Sequence, residues 1–416
     1  MATPIPAARV AAFEKLGYGL FLHYGLYSLV GRGEWTMHRH HVPAEEYARL
    51  AEQFTASEFD GRTLARFAAD CGMKYITLTS RHHDGFSLYD TRGLNDFDAP
   101  HSPAGRDLIA DFVEGCRAEN IVPMLYHTTL DWRRRTHECS DEQFADYLDY
   151  LVESVEILCT QYGPIGGLWF DGNWSRPEAD WQEDRLYAMI RKHQPDAMII
   201  NNSSVDARGA FGHPELDAVT YEQGRPEPMD REGMDKYVAA EMCQTMDNHW
   251  GIATRDFRQL SPREVITDLC ACRRVGANFL MNVGPTAEGA IPQYDGAVLK
   301  RVGEWVDLHR PALYDVRPTR LETPGRDFVL KGADGRLFLF VHDLTVTDNQ
   351  NLDGVRGAGL RTMEGLTAPV RSVRWLDNDE RLDFTQDADK GHLAIACTDF
   401  PYGEHLVVRV AEITLQ

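Results

Sequence analysis

The chain has 416 residues, 43% of them hydrophobic, and a formal net charge of −21 at pH 7. Its length fits one large domain followed by a smaller one, and its apolar content excludes a disordered chain. The acidic balance argues against nucleic acid or an anionic membrane as partner, since both select basic surfaces; it is neutral toward an uncharged substrate.

The opening "MATPIPAARVAAFEK" holds no cationic run followed by an apolar core, and no stretch of about 18 apolar residues occurs later, so a cytoplasmic location is expected. Strand-like and helix-like segments then alternate. "YGLFLHYG" (18–25) reads as a strand, and "PAEEYARLAEQF" and "DGRTLARFAADCG" as helices, the second closed by glycine. "MKYITLTSRHH" (73–83) is a β-branched, apolar strand that ends on two imidazoles. The helix "GRDLIADFVEGCRAEN", the strand "IVPMLYHTTLDW" (121–132) and the long amphipathic helix "DEQFADYLDYLVESVEILCTQYG" follow. Strand "GGLWFDG" (166–172), helix "EDRLYAMIRKHQP" and strand "AMIINNSS" (197–204) come next, then strands "DAVTYEQG" (217–224) and "YVAAEMCQTM" (237–246). Helix "PREVITDLCACRRVGA", strand "NFLMNVGP" (278–285) and helix "GAVLKRVGEWVDLHR" close the series.

Eight short buried strands, most of them separated by helices, favour a (β/α)8 barrel over an open doubly wound sheet. Helices are least evident over 205–240. From about residue 316 the pattern changes to "DFVLKGADGRLFLFVHD", "VRSVRWLD" and "HLVVRVAEITL", strands joined by turns with no helical period. The expected division is a barrel over 1–315 and an antiparallel β-sandwich over 316–416. The eight cysteines (71, 116, 139, 159, 243, 270, 272 and 397) form no C-x-x-C pair, so reduced thiols are expected rather than a zinc knuckle or a redox motif.

In a parallel barrel the active site lies at the C-terminal strand ends. Those ends carry His23 and Tyr24; His82, His83 and Asp84; Tyr126 and His127; Trp169 and Asp171; Asn201 and Asn202; Tyr221 and Glu222; Glu241; and Asn282. Strand ends that served only the fold should favour apolar or turn residues. The residue types suit a sugar, whose apolar face stacks on rings such as Trp35, Trp169, Trp174, Trp250 and Tyr126 while its hydroxyls take His and Asn. Core packing is an equal role for Trp174 and Trp250. Two carboxylates are the minimum for glycoside cleavage.

The chain resembles the α-L-fucosidases of glycoside hydrolase family 29. The resemblance rests on "YGLFLHYGLYS" with "GEWTMHR", "MKYITLTSRHHDGFSLYDT", "MLYHTTLDW", "LWFDGNW", "MCQTMDNHWG" and "NFLMNVGPTAEGAIP", in the family's order from about residue 16 to 315. It implies a retaining exo-hydrolase of terminal α-L-fucosides that acts on fucosylated oligosaccharides or glycoconjugates and uses neither metal nor organic cofactor. By position it implies Asp171 as nucleophile, with His23, Glu34, Trp35, His82, His83, Tyr126 and Trp169 as fucose contacts. For the general acid and base, Glu222 in "TYEQG" is preferred over Glu241 in "AAEMC", which would instead contact substrate or brace the site. Two departures stand out: Ser203 lies near the position of a family arginine, and Ala240 replaces a tryptophan.

Three other readings stay open. One is a glycosidase for a sugar of the L-galactose type. Another is a metal-dependent barrel hydrolase with His23, His82, His83 and Asp171 as ligands, though no His-x-His or His-Glu-x-x-His motif is present. The third is a sugar-binding protein without turnover. A homo-oligomer is left open.

Overall fold

The computed structural model describes residues 2–202, 209, 211–345 and 359–416. It divides into two compact units, Met1–Leu260 with Asn278–Leu299 and Ser261–Ala277 with Lys300–Gln416.

The first unit contains a closed parallel barrel whose strands pair in chain order: β1 (Tyr18–Leu22), β2 (Tyr75–Arg81), β3 (Val122–Thr128), β4 (Gly167–Asp171), β5 (Met198–Asn201), β6 (Ala218–Glu222), β7 (Ala239–Thr245) and β8 (Asn278–Val283). β8 returns to β1 through Phe21↔Asn282 and its neighbours. Every residue of β1, β2 and β8 is buried, which explains their unbroken apolar and β-branched runs: a parallel strand with both faces covered has no polar side to alternate. The seam between β5 and β6 is the thinnest, with Ile200↔Ala218 as its paired residues.

Helices start where the sequence offers caps. Asp60 accepts the Thr63 amide at 2.6 Å ahead of Gly61–Asp70, and Asp107 accepts that of Ala110 at 2.9 Å ahead of Leu108–Ala118. Ser140 and Gln143 form a capping box for Asp141–Gln161. The helix expected over 43–54 is split into an α-turn, Ala44–Ala48, and a 3₁₀ stretch, Arg49–Gln53. Among the described residues no helix lies between β5 and β6 or between β6 and β7, the span where helical periodicity is weakest.

One helix was not expected. Ala8–Leu16 puts Val10 and Phe13 into the barrel interior with Tyr75, Met198, Ala218 and Ala239, residues from the N-terminal parts of their strands. Phe13 meets Tyr75 edge-on at 5.5 Å, and its carbonyl accepts Asn278 Nδ2 at 2.7 Å. The helix therefore stoppers the end of the barrel opposite the strand C-termini.

The second unit holds two antiparallel sheets. Their strands are β9 (Val316–Pro318), β10 (Phe328–Gly332), β11 (Leu337–Val341), β12 (Gly359–Met363), β13 (Val370–Trp375), β14 (Phe384–Asp387), β15 (His392–Cys397) and β16 (Arg409–Leu415). They run in the orders β13-β16-β11-β10-β9 and β12-β15-β14. Leu339, Val341, Val373, Trp375 and Ile413 of the first sheet pack with Met363, Leu393 and Ile395 of the second, which makes a sandwich. The helix Pro262–Arg274 and the later part of Gln293–His309 group with these strands, and Trp305 Nε1 donates to Val408 O at 2.9 Å. The compact unit that holds these strands thus also takes in Ser261–Ala277 and the chain from Lys300 onward.

All eight cysteines are free thiols. Among the described residues no helix is long and apolar enough to cross a membrane.

Candidate active site

A cavity of about 310 Å³ opens at the C-terminal ends of the barrel strands. Its aromatic wall is Phe21, Trp35, Tyr126, Trp169, Trp174 and Trp250. Its polar wall is His23, His82, His83, Asp171, Asn202 and Glu222.

Asp171 ends β4 and is followed by Gly172 at φ 122°. A Cβ at Gly172 would sit 2.6 Å from the Leu130 nitrogen, so only glycine lets the chain turn away and leave the carboxylate at the cavity. Burial works to raise the Asp171 pKa, but contacts with His83, Trp174 and Tyr126 outweigh it and hold the carboxyl below its usual value. Trp174 Nε1 donates to Oδ1 at 2.9 Å and Tyr126 Oη to Oδ2 at 3.1 Å, while His83 Nε2 lies 3.4 Å from Oδ2. Asp171 is therefore an ionised carboxylate ringed by donors.

Glu222 ends β6. Asn202 Nδ2 lies 2.5 Å from Glu222 Oε2 and 3.5 Å from Asp171 Oδ1. These two carboxyl oxygens can be no farther apart than those two legs laid end to end.

The histidines are held by the barrel. His23 Nδ1 donates to Asn282 Oδ1 at 2.7 Å; the Asn282 amide is oriented because its Nδ2 donates to Trp250 O at 2.8 Å. Burial takes the His23 pKa down to about 3, so the ring is neutral and Nε2 is an acceptor. Burial, with His83 and His23 nearby, also keeps His82 far below the usual imidazole range. Its Nδ1 has no hydrogen-bond partner among the described residues. His83 Nδ1 lies 2.6 Å from Thr128 Oγ1, whose hydrogen goes to Leu130 O at 2.6 Å, so this ring nitrogen is the donor. After the histidines, Asp84 turns the loop by accepting from Phe86 N at 3.1 Å and Tyr47 Oη at 3.0 Å, and Gly85 follows at φ 82°. Buried there, Asp84 is pushed up to about 6.

Trp35 and Trp174 stack 5.8 Å apart, and Trp250 lies 5.1 Å from the His23 ring. Both Trp174 and Trp250 stand on the cavity wall rather than only in the core. Phe21, an inward residue of β1, was not singled out from sequence; its place in an apolar strand run hides it.

Two expected contacts lie elsewhere. Glu241 does not line the cavity and is not at a strand end. It is the third residue of β7, buried inside the barrel, accepting Tyr75 Oη at 2.5 Å and Trp169 Nε1 at 3.0 Å. Burial pushes its carboxyl up to about 7. It is a brace beneath Trp169, because along β7 it shares the inward-facing parity of Ala239 and Cys243. Glu34 does not line the cavity either. Its Oε2 accepts the amides of Trp250 at 2.9 Å and Gly251 at 2.8 Å, tying the loop after β1 to the loop after β7. Ser203 lies outside the described residues. The ligand-type side chains close enough to share a metal, among the described residues, are Asp247, His249 and Asp256, not the His23, His82, His83 and Asp171 set.

The sequence pattern of the Alpha-L-fucosidase family matches residues 7–310. The tissue alpha-L-fucosidase of Rattus norvegicus is 26% identical over 343 residues, 75% of this chain and 71% of the relative. The Homo sapiens counterpart is 25% identical over 352 residues, 77% and 71% of the two chains. Among solved structures, alpha-L-fucosidase isoenzyme 1 from Paenibacillus thiaminolyticus has a TM-score of 0.84 at 29% identity, over 98% of this chain and 99% of that one. A Bacteroides thetaiotaomicron alpha-L-fucosidase trapped as a covalent intermediate shares the fold, with a TM-score of 0.83 at 20% identity over 100% and 98% of the chains. With the family pattern spanning the whole barrel, the chain belongs to the alpha-L-fucosidase family and is a glycoside hydrolase that cleaves fucosides.

Proposed function

We propose that this enzyme is a retaining exo-hydrolase of terminal α-L-fucosides on oligosaccharides or glycoconjugates, with Asp171 as nucleophile and Glu222 as general acid and base. The observation that carries the reading is the Asn202 amide between the two carboxyls. Its legs of 2.5 Å and 3.5 Å keep the facing oxygens closer than the ~6.5–9.5 Å an inverting enzyme needs to seat a water, and suit the ~5–5.5 Å of a retaining pair.

In the first step an Asp171 oxygen attacks the anomeric carbon, the bond to the leaving oxygen breaks, and the Glu222 proton goes to that oxygen. In the second, water attacks the anomeric carbon and gives its proton to Glu222. In the same step the ester bond breaks and its electron pair returns to Asp171. The donors on Asp171 favour the ionised state that attack requires. His23 Nε2 and His82 offer polar contacts for hydroxyls, and the tryptophans offer stacking faces. A cavity of about 310 Å³ is at the small end of ligand sites, which favours one terminal sugar over an internal one.

The test is NMR of the first product from an aryl α-L-fucoside, beside aryl α-L- and β-D-galactosides. Release of the α-anomer of fucose supports retention; the β-anomer first, or a preference for a galactoside, overturns the reading. Glu222→Ala and Glu241→Ala decide the acid and base. The true acid/base variant keeps cleavage of a good leaving group, responds to azide, and loses natural-type glycosides. That pattern in Glu241→Ala alone would remove Glu222 from the role.

A further inference from the structure

Asn202 follows β5 and is buried. Its amide orientation is set by the network: Oδ1 accepts Thr220 Oγ1 at 2.9 Å, which leaves Nδ2 and its two hydrogens toward Glu222 and Asp171. Its backbone is anchored by Asn202 N donating to Phe170 O at 2.8 Å, so the side chain is delivered from a fixed point on the barrel.

During hydrolysis the negative charge moves between these two carboxyls. In the proposed reaction Asp171 enters as the anion and Glu222 as the acid; in the glycosyl-enzyme Asp171 is an ester and Glu222 is the anion. An amide with one hydrogen for each carboxyl serves whichever is charged, with little reorganisation. It also favours the proton of Glu222 on the oxygen that the amide does not contact. We propose that Asn202 is a positioning residue shared by nucleophile and acid/base, a fixed hydrogen-bond bridge that follows the charge through both half-reactions, with Thr220 holding it in register. The inference rests on the Glu222 assignment above.

The other titratable groups around the pair come from four strands. Among the described residues they include His23 after β1, His82 and His83 after β2, Tyr126 on β3 and Cys243 on β7. Burial holds Tyr126 and Cys243 well above their usual values and His23 down at about 3. Glu241, pushed up to about 7 inside the barrel, titrates in wild type and variant alike. The alkaline limb of kcat/KM, where the general acid loses its proton, is therefore compared between proteins rather than read alone.

The experiment is the pH profile of kcat/KM on an aryl fucoside for Asn202→Ala and Thr220→Val. An N–H donor favours the anionic carboxylate, so losing it moves the alkaline limb to higher pH, by about one unit in Asn202→Ala. The acid limb, governed by Asp171, moves less, because Trp174 and Tyr126 remain. The optimum value falls about ten- to a hundred-fold. Thr220→Val keeps Asn202 but frees its amide, and shifts the same limb in the same direction by less; it carries the test alone should Asn202→Ala not fold. An alkaline limb unmoved in a folded variant, with only activity or Tm reduced, overturns the inference. If Glu222→Ala shows the acid/base pattern and the limb still does not move, this inference alone falls. If Glu222→Ala lacks that pattern, the assignment beneath it falls first.

Discussion

Two carboxyls in this barrel each receive a tryptophan N–H and a tyrosine O–H and end in opposite states. Asp171 receives a tryptophan N–H and a tyrosine O–H and sits below its usual pKa; Glu241 also receives one of each and is pushed up to about 7. What differs is position. Asp171 stands at the end of β4 with His83 Nε2 3.4 Å away, whereas Glu241 is mid-strand, two residues into β7, with no imidazole on it. Asp171 has two further contacts, His83 Nε2 at 3.4 Å and Asn202 Nδ2 at 3.5 Å, and is less deeply buried than Glu241; together these separate the two states. One acid became an anion at the mouth and the other a brace below it.

The comparison breaks hardest at the mouth. Asp171→Ala should lower turnover by at least about 10⁴-fold, since removing one member of a catalytic unit removes nearly all its effect, while circular dichroism and Tm stay close to wild type. Retention of more than a few per cent of activity would make the mouth carboxylate dispensable. Glu241→Ala should do the reverse. It strands Tyr75 Oη and Trp169 Nε1 in the interior and should cost about 2–4 kcal/mol in urea unfolding, with a smaller effect on kcat than Asp171→Ala has. Unchanged stability would mean that Glu241 braces nothing.

A pH series sharpens the contrast. Burial raises Glu241 from an ordinary 4.5 to about 7, so between those values the folded chain keeps a proton that the unfolded chain has lost. Its contribution is present below about pH 4.5 and is lost as pH rises through 7. At full titration that loss is roughly 3 kcal/mol. Glu241→Gln cannot titrate, and its stability should fall less over this window than that of wild type; parallel curves would refute the raised value. The smallest effect is expected for Trp174→Phe. It keeps a ring on Trp35 but removes one donor from Asp171, so the acid limb of kcat/KM should move to higher pH by less than about one unit, with activity down about ten-fold. An unmoved limb would show that the indole N–H does not hold the anion.

Much of this was legible because local pattern and tertiary position coincide at strand ends. "MKYITLTSRHH" and "GGLWFDG" end as β-branched or apolar runs must end in a parallel barrel, with the next residues at the mouth. Gly172 after Asp171, at φ 122°, makes the turn that leaves Asp171 at the mouth. The helix Ala8–Leu16 was hidden because its buried residues are few, Val10 and Phe13, and its amphipathic pattern is weak. Glu241 was grouped with the strand-end acids although the expected strand, 237–246, runs on past it; the observed β7, Ala239–Thr245, keeps it inside the barrel, where only its distances to Tyr75 and Trp169 reveal its role.

By itself the sequence determined the alternation of strands and helices and the barrel with its β-rich companion, because buried parallel strands and their polar ends write periodic and punctuated patterns into the chain; the nucleophile candidate came from the resemblance of "LWFDGNW" to the fucosidase family. Only the tertiary structure decided which acids face the cavity and which are spent inside, because that depends on distances between residues far apart in sequence. Glu34 is taken by the amides of Trp250 and Gly251, Glu241 by Tyr75 and Trp169, and Glu222 is brought to Asp171 across a single asparagine amide. No one-dimensional pattern encodes that convergence; closure of the barrel does.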